Sequence, residues 1–393
     1  MSVTAARGFR AAGVAAGLKA RGGRDVALVV CDRPATAAAV LTSNRVQAAP
    51  VAVTRAAVAD GCLRGVVVNS GGANACTGAA GLADAWEMAA VAAHEIGCAR
   101  EDIAVASTGL IGVRLPLGLV RAGIREAAGR LATDGGRDAA MAIMTTDTVR
   151  KESTRAVLVD GATVTVGGMA KGAGMLAPAL ATMISVLTTD AEVSAEDLGV
   201  ALRAAVSTTF DRVDSDGCTS TNDTVVLLAS GCSGRRVRRG GAEWPVFTGA
   251  LREVCADLAE QLVDDAEGAT KRVAVRVTGA VDDTVALTAA RAVARSALVK
   301  CAVHGEDPNW GRVLAAMGAA TSRFDPDLVD VRFNRAPVCR GGVAAGDLTR
   351  ARAALGGRQV EIGIDLHQGR GAATVLTTDL TASYVHENSA YSS

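Results

Sequence analysis

Three observations predict an α/β protein. Apolar runs of strand length alternate with Ala-rich stretches of helical period, one pair of runs is joined by an Asp-Gly turn, and the chain is rich in glycine and poor in aromatics. Strand-like runs extend from Asp25 to Cys31, Gly65 to Asn69 and Asp102 to Ala106, and the helical stretches from Gly81 to Ile96, Pro116 to Ala132 and Ser194 to Thr208. The segment from Ala156 to Val166 turns at Asp160-Gly161, a strong local hairpin signal, and leads straight into a glycine-containing loop. A second hairpin is expected from Arg272 to Leu287, turning at Asp282-Asp283. Asp307 and Pro308 read as the N-cap and first residue of a helix beginning near Trp310.

Composition narrows the class. In 393 residues, 49% are hydrophobic but only 3% aromatic, so the core is built from Ala, Val and Leu with close backbone approaches at some of the 44 glycines. Lys plus Arg equals Asp plus Glu at 41 each, which removes the general attraction for nucleic acid and favours a small-molecule substrate. The basic run from Arg235 to Arg239 lies among glycines and reads as a solvated turn. Nine cysteines, odd in number and without a C-x-x-C pair, fit a reduced cytosolic protein. Residues 1–25 hold no continuous apolar stretch and no run reaches membrane-spanning length, so a cytoplasmic location is expected, with no membrane and no nucleic-acid partner.

The segment Met169-Ala-Lys-Gly-Ala-Gly-Met-Leu-Ala-Pro-Ala-Leu-Ala-Thr182-Met-Ile-Ser-Val-Leu carries the chemistry. Gly172 and Gly174 permit tight turns, Pro178 restricts the path, and Thr182 stands before an apolar strand. Scission between Ala181 and Thr182 would give the Thr182 hydroxyl its own α-amine as neighbouring base, one recurrent way to activate an alcohol. Gly172-Ala-Gly174 is a poor phosphate cradle, because it lacks a third glycine and leads into a strand. His304, Glu306 and Asp307 are bunched before a helix start with no second His cluster or cysteine pair, so no metal is assigned. His94, His367 and His386 are isolated, and structural roles are expected for them.

Further blocks accompany that segment: Asn69-Ser-Gly-Gly-Ala-Asn-Ala-Cys-Thr-Gly78, Ser107-Thr-Gly-Leu-Ile-Gly112, Met144-Thr-Thr-Asp147, Thr219-Ser-Thr-Asn-Asp223, Glu267-Gly-Ala-Thr-Lys271, His304-Gly-Glu-Asp-Pro-Asn-Trp-Gly-Arg312, and Asp379-Leu-Thr with Tyr384 and Asn388. Together with Lys171 to Thr182 they resemble, in order and over nearly the whole chain, the ornithine acetyltransferases of arginine biosynthesis. The resemblance implies a layered αββα-type sandwich with a smaller C-terminal α/β region, self-cleaved into an α chain (1–181) and a β chain (182–393) that stay interlocked and assemble as an α2β2 heterotetramer. It implies a glutamate N-acetyltransferase that moves acetyl from N2-acetyl-L-ornithine to L-glutamate through an ester on Thr182. Thr108 and Gly109 match the family's oxyanion pair, and Thr145, Lys171, Thr182, Glu267, Asn388 and Ser393 its substrate contacts. No cofactor is implied, although some members also use acetyl-CoA as donor. Ala179 and Leu180 replace the family's usual Asn and Met, and Cys218 a usual Asp. Two alternatives stay open on sequence: a self-processed amidase or aminopeptidase with an N-terminal nucleophile, and a paralogous acetyltransferase of secondary metabolism.

Overall fold

The computed structural model describes residues 2–175, 183–320 and 323–390. Ala181, Thr182 and Ser393 therefore lie outside the described residues. The chain forms two compact units, one of residues 2–211 and 218–262, the other of 212–217 and 263–390.

The first unit contains, in chain order, β1 (Phe9–Val14), β2 (Val26–Leu41), α1 (Ala49–Ala57), β3 (Cys62–Gly72), α2 (Gly78–Ile96), β4 (Ile103–Leu110), α3 (Leu117–Gly129), α4 (Gly136–Ala142), β5 (Lys151–Val159), β6 (Ala162–Lys171), β7 (Ile184–Thr189), β8 (Glu192–Val193), α5 (Ala195–Thr208), β9 (Thr224–Ala229), β10 (Arg236–Val237) and α6 (Trp244–Asp264), whose last two residues fall in the second unit. Its main sheet runs β4-β3-β2-β9-β7-β6-β5, with β1 also paired to β2. Both faces are covered. Ala27, Val29, Val66, Val68, Ala104 and Ala106 face one core with Ala139 and Ala140 of α4, whereas Val26, Leu28, Val67, Ile103 and Val105 face another with Met88 of α2 and Ile124 of α3. A strand buried on both sides reads as an unbroken apolar run, which is the pattern of Val66-Val67-Val68.

The Asp-Gly hairpin is present. Asp160 and Gly161 take φ of +47° and +76°, the left-handed pair that a two-residue turn requires, and β5 and β6 pair antiparallel from Lys151 with Ala170 to Val159 with Ala162. Strand β6 then pairs with β7 from Val166 with Thr189 to Lys171 with Ile184. Strands β7 and β9, which follow Thr182 in sequence, fill the middle of the sheet between β2 and β6, which precede it. A cut before Thr182 would thus leave both products sharing one hydrogen-bonded ladder.

The second unit contains β11 (Arg272–Ala280), α7 (Asp283–Arg295), α8 (Ala297–His304), α9 (Trp310–Ala320), β12 (Asp330–Phe333), β13 (Ala336–Arg340), β14 (Val343–Ala344), α10 (Leu348–Leu355), β15 (Gln359–Asp365), β16 (Gly371–Thr378) and α11 (Ala382–Ala390). Its sheet runs β14-β13-β12-β15-β11-β16. Registers that pair Val275 with both Ile362 and Val375, and Val331 with Ile364, place these residues on one face, packed with Ala286, Ala290 and Val293 of α7. This is the smaller C-terminal α/β region expected from the sequence, and the α/β class holds for both units.

Three local expectations are corrected. No hairpin turns at Asp282-Asp283, because the Asp282 carboxylate accepts the Val285 N–H at 2.8 Å and caps α7, and the antiparallel partner of β11 is the distant β16. Helix α9 begins at Trp310 with Asn309 before it; the Asn309 Oδ1 accepts the Arg312 N–H at 3.3 Å, so Asp307 is not the cap. The basic run is more than a turn: Arg236-Val237 pairs with Glu192-Val193 as a short parallel ladder, and Arg239 forms an ion pair with Glu196 at 3.1 Å.

Candidate active site

Lys171, which leads into the glycine loop, is the last residue of β6 and only 2% exposed. Its ammonium donates to Thr145 Oγ1 at 2.7 Å and to Thr108 Oγ1 at 3.1 Å. An ammonium has donors only, so the Thr108 oxygen accepts here and its own hydroxyl proton remains available to a third group. Three of the residues singled out from sequence, Thr108, Thr145 and Lys171, thus converge within one hydrogen-bonded cluster.

Thr108 and Gly109 lie near the end of β4, whose parallel ladder with β3 is irregular at Gly71 and Gly72. Gly109 has φ of +128°, and a Cβ added there would lie 2.6 Å from both the Gly71 carbonyl carbon and the Gly72 nitrogen. Glycine is therefore required twice over, by dihedral and by space.

Asp147 organises the cluster. Its Oδ1 accepts Lys151 Nζ at 2.6 Å and the Gly172 N–H at 2.8 Å, and its Oδ2 accepts the Thr145 N–H at 2.9 Å, with Lys171 Nζ 4.0 Å away. Burial pushes the carboxyl pKa up, but Lys171 and Lys151 outweigh it and hold it down to about 2. The two buried ammoniums beside this carboxylate supply positive charge, the sign that suits a carboxylate or an oxyanion. The field reaches Lys19 as well: burial pulls its pKa down to about 8, Asp25 and Asp147 act against that, and Lys171 adds to it.

A second buried network adjoins Thr108. Asn222 Nδ2 donates to the carbonyls of Ala73 at 2.6 Å and Ser107 at 2.8 Å, and Ser107 Oγ donates to Asn69 Oδ1 at 2.5 Å. Asp223 Oδ1 accepts the Met183 N–H at 3.0 Å, and Met183 O accepts the Thr224 N–H at 3.0 Å. Burial raises the Asp223 pKa well above the usual carboxylate range, against the lowering effect of the Met183 N–H.

In the second unit, Asn388 on α11 donates to Glu267 Oε2 at 3.1 Å and to the Tyr384 carbonyl at 3.0 Å, so these two expected substrate contacts are neighbours. His304 Nδ1 lies 2.9 Å from Asp379 Oδ2, and Glu306 accepts Lys271 Nζ at 3.1 Å. The first is a hydrogen bond and the second an ion pair, and no group of three or more candidate metal ligands occurs among the described residues. Sequence reasoning did not assign roles to Asp147, Lys151, Asn222 or Asp223. Asp147, Asn222 and Asp223 do end two of the distinctive blocks, Met-Thr-Thr-Asp and Thr-Ser-Thr-Asn-Asp, and that was the available signal.

The ArgJ family model matches residues 10–393. This chain belongs to the ArgJ family. An arginine biosynthesis bifunctional protein ArgJ of Thermobifida fusca is 56% identical over 393 residues, covering 100% of both chains, and that of Streptomyces coelicolor is 53% identical over 394 residues, again covering 100% of both. Among solved structures, an arginine biosynthesis bifunctional protein from Bacillus halodurans has 37% identity and a TM-score of 0.51, covering 52% of this chain and 98% of its own. The acyltransferase of arginine biosynthesis expected from the motifs is thus the activity class to which the ArgJ family assigns this chain. No helix among the described residues is long and apolar enough to cross a membrane.

Proposed function

We propose that this ArgJ family member transfers acetyl from N2-acetyl-L-ornithine to L-glutamate through an ester on Thr182, after self-cleavage before that residue. The observation that supports this reading best is the buried cluster in which Lys171 donates to Thr108 and leaves the Thr108 hydroxyl proton for another acceptor. When the Thr182 hydroxyl attacks the acetyl carbonyl, its proton passes to the freed α-amine of Thr182 and the carbonyl oxygen becomes an oxyanion. Thr108 Oγ and the Gly109 backbone stabilise that oxyanion, with the charge of Lys171 behind them. Collapse breaks the C–N bond, ornithine leaves with the proton, and the acetyl ester remains. The glutamate amine then attacks the ester, a second oxyanion forms at the same place, and N-acetylglutamate departs as the Thr182 hydroxyl is restored.

Lys171 and Thr145 in the first unit, Glu267 and Asn388 in the second, and Ser393 at the C-terminus are the proposed substrate contacts. The lysine answers the α-carboxylate that both amino acids carry, and Glu267 an amine. The shared ladder of β6 and β7 supports two interlocked products, 1–181 and 182–393. An α2β2 assembly and a cytoplasmic location belong to the same proposal, with no cofactor and with acetyl-CoA as a second acetyl donor in keeping with the bifunctional names of the relatives.

The test measures free acetate and acetylglutamate from acetylornithine with and without glutamate. A transferase forms acetylglutamate in step with glutamate, whereas release of acetate at a rate indifferent to glutamate would assign a hydrolase. Thr182→Ala is expected to give one uncut chain without transfer, and a cleaved, active variant would remove Thr182 from the mechanism.

A further inference from the structure

The mechanism above leaves one buried dipeptide unused. Asn222 and Asp223 are adjacent and 3% and 0% exposed, and they point their side chains at two different elements of the site. Both partners of Asn222 Nδ2 are carbonyl oxygens, so its amino group must face them. One of those carbonyls belongs to Ser107 and is part of the peptide that joins it to Thr108. The other belongs to Ala73, next to Gly72, against which Gly109 packs. Asp223 accepts the N–H of Met183, the residue that follows Thr182 in sequence. The Asp223 carbonyl accepts the Thr42 N–H at 2.9 Å, which ties the dipeptide to the end of β2.

We propose that Asn222 and Asp223 are a paired positioning device that sets the spacing between the oxyanion donors Thr108 and Gly109 and the backbone of Met183, the residue that follows the proposed nucleophile. Neither touches the acetyl group; each holds the backbone of residues next in sequence to the ones proposed to do so, Ser107 before Thr108 and Met183 after Thr182. Consecutive residues just ahead of β9 are separated by a fixed peptide, so the two elements they hold cannot drift apart independently. A reacting pair held near contact distance loses about 100-fold in rate for a displacement on the order of 1 Å. The inference rests on Thr182 as nucleophile, and the experiment separates the two.

Asn222→Asp keeps the shape but turns a carboxylate toward two carbonyls. Asp223→Ala removes the acceptor for Met183, and Asp223→Asn restores a neutral one. In full-length, processed protein, Asn222→Asp and Asp223→Ala are expected to lower kcat about 100-fold with KM changed less than about threefold, and Asp223→Asn to recover kcat to within about tenfold of wild type. A variant left uncut with the wild-type thermal midpoint also supports the proposal, because cleavage needs the same alignment. Unchanged kcat in either Asn222→Asp or Asp223→Ala overturns it, as does a loss of kcat that only follows a fallen thermal midpoint. Equal loss in Asp223→Ala and Asp223→Asn would assign Asp223 to proton transfer and overturn positioning. Two sites are varied so that an insoluble variant at one leaves the other to decide. Mass spectrometry of wild-type protein incubated with acetylornithine alone checks the underlying reading: no acetyl on the Thr182 peptide defeats the nucleophile itself, whatever the variants do.

Discussion

Replacing Asp147 by Asn tests the charge arrangement at the centre of the site. The carboxylate accepts from Lys151 and Gly172 on one oxygen and from Thr145 on the other. An amide has one acceptor oxygen and one donor nitrogen, so in either orientation its NH2 faces a donor. The variant also leaves Lys151, whose side chain is fully buried, without its carboxylate. Breaking a buried pair in this way costs about 3–5 kcal/mol. The pKa gives a second figure: a carboxyl moved from 3.8 to about 2 by folding contributes roughly 2 kcal/mol at neutral pH. For a unit of this size, about 2 °C per kcal/mol converts the range into a fall of roughly 4–10 °C in thermal midpoint. The sign with pH follows from the depressed value. The contribution of Asp147 is complete above its unfolded pKa and is lost as pH falls through about 2, so the wild-type advantage is full at neutral pH and closes in strong acid. Thermal unfolding followed by circular dichroism at pH 7 and at low pH measures both. A midpoint for Asp147→Asn within about 1 °C of wild type at pH 7 would refute the reasoning that this carboxylate holds two buried ammoniums.

Thr108→Ala is expected to lower kcat by about 100- to 1000-fold with a small change in KM, since the hydroxyl acts on the oxyanion and not on bound substrate; steady-state kinetics with both substrates varied checks it, and unchanged kcat would remove Thr108 from that role. Gly109→Ala must strain a φ of +128° and push a methyl into Gly71 and Gly72, so transfer activity should fall by at least about 100-fold and the thermal midpoint with it; a variant with wild-type turnover would show that the β3–β4 bulge is not a fixed part of the site.

The α/β class, the Asp160-Gly161 hairpin and the strands and helices placed from sequence around it were legible because they rest on short-range physics: apolar periodicity and a turn that needs left-handed φ. Asp282-Asp283 misled for the same reason, since an aspartate serves a turn and a helix cap equally well and the choice fell to a capping bond with Val285 and to pairing of β11 with β16. The motifs likewise named Thr108, Thr145 and Lys171. What no local pattern contains is that strands β7 and β9 enter the sheet between β2 and β6, or that Lys171 is buried against Thr108, 63 positions away in sequence. Those pairings are settled by packing between distant segments. Only there do Asp147 and Lys151 become a buried ion pair, and only there do the neighbours Asn222 and Asp223 acquire two separate backbones to hold, because burial turns ordinary polar residues into groups that must find a partner.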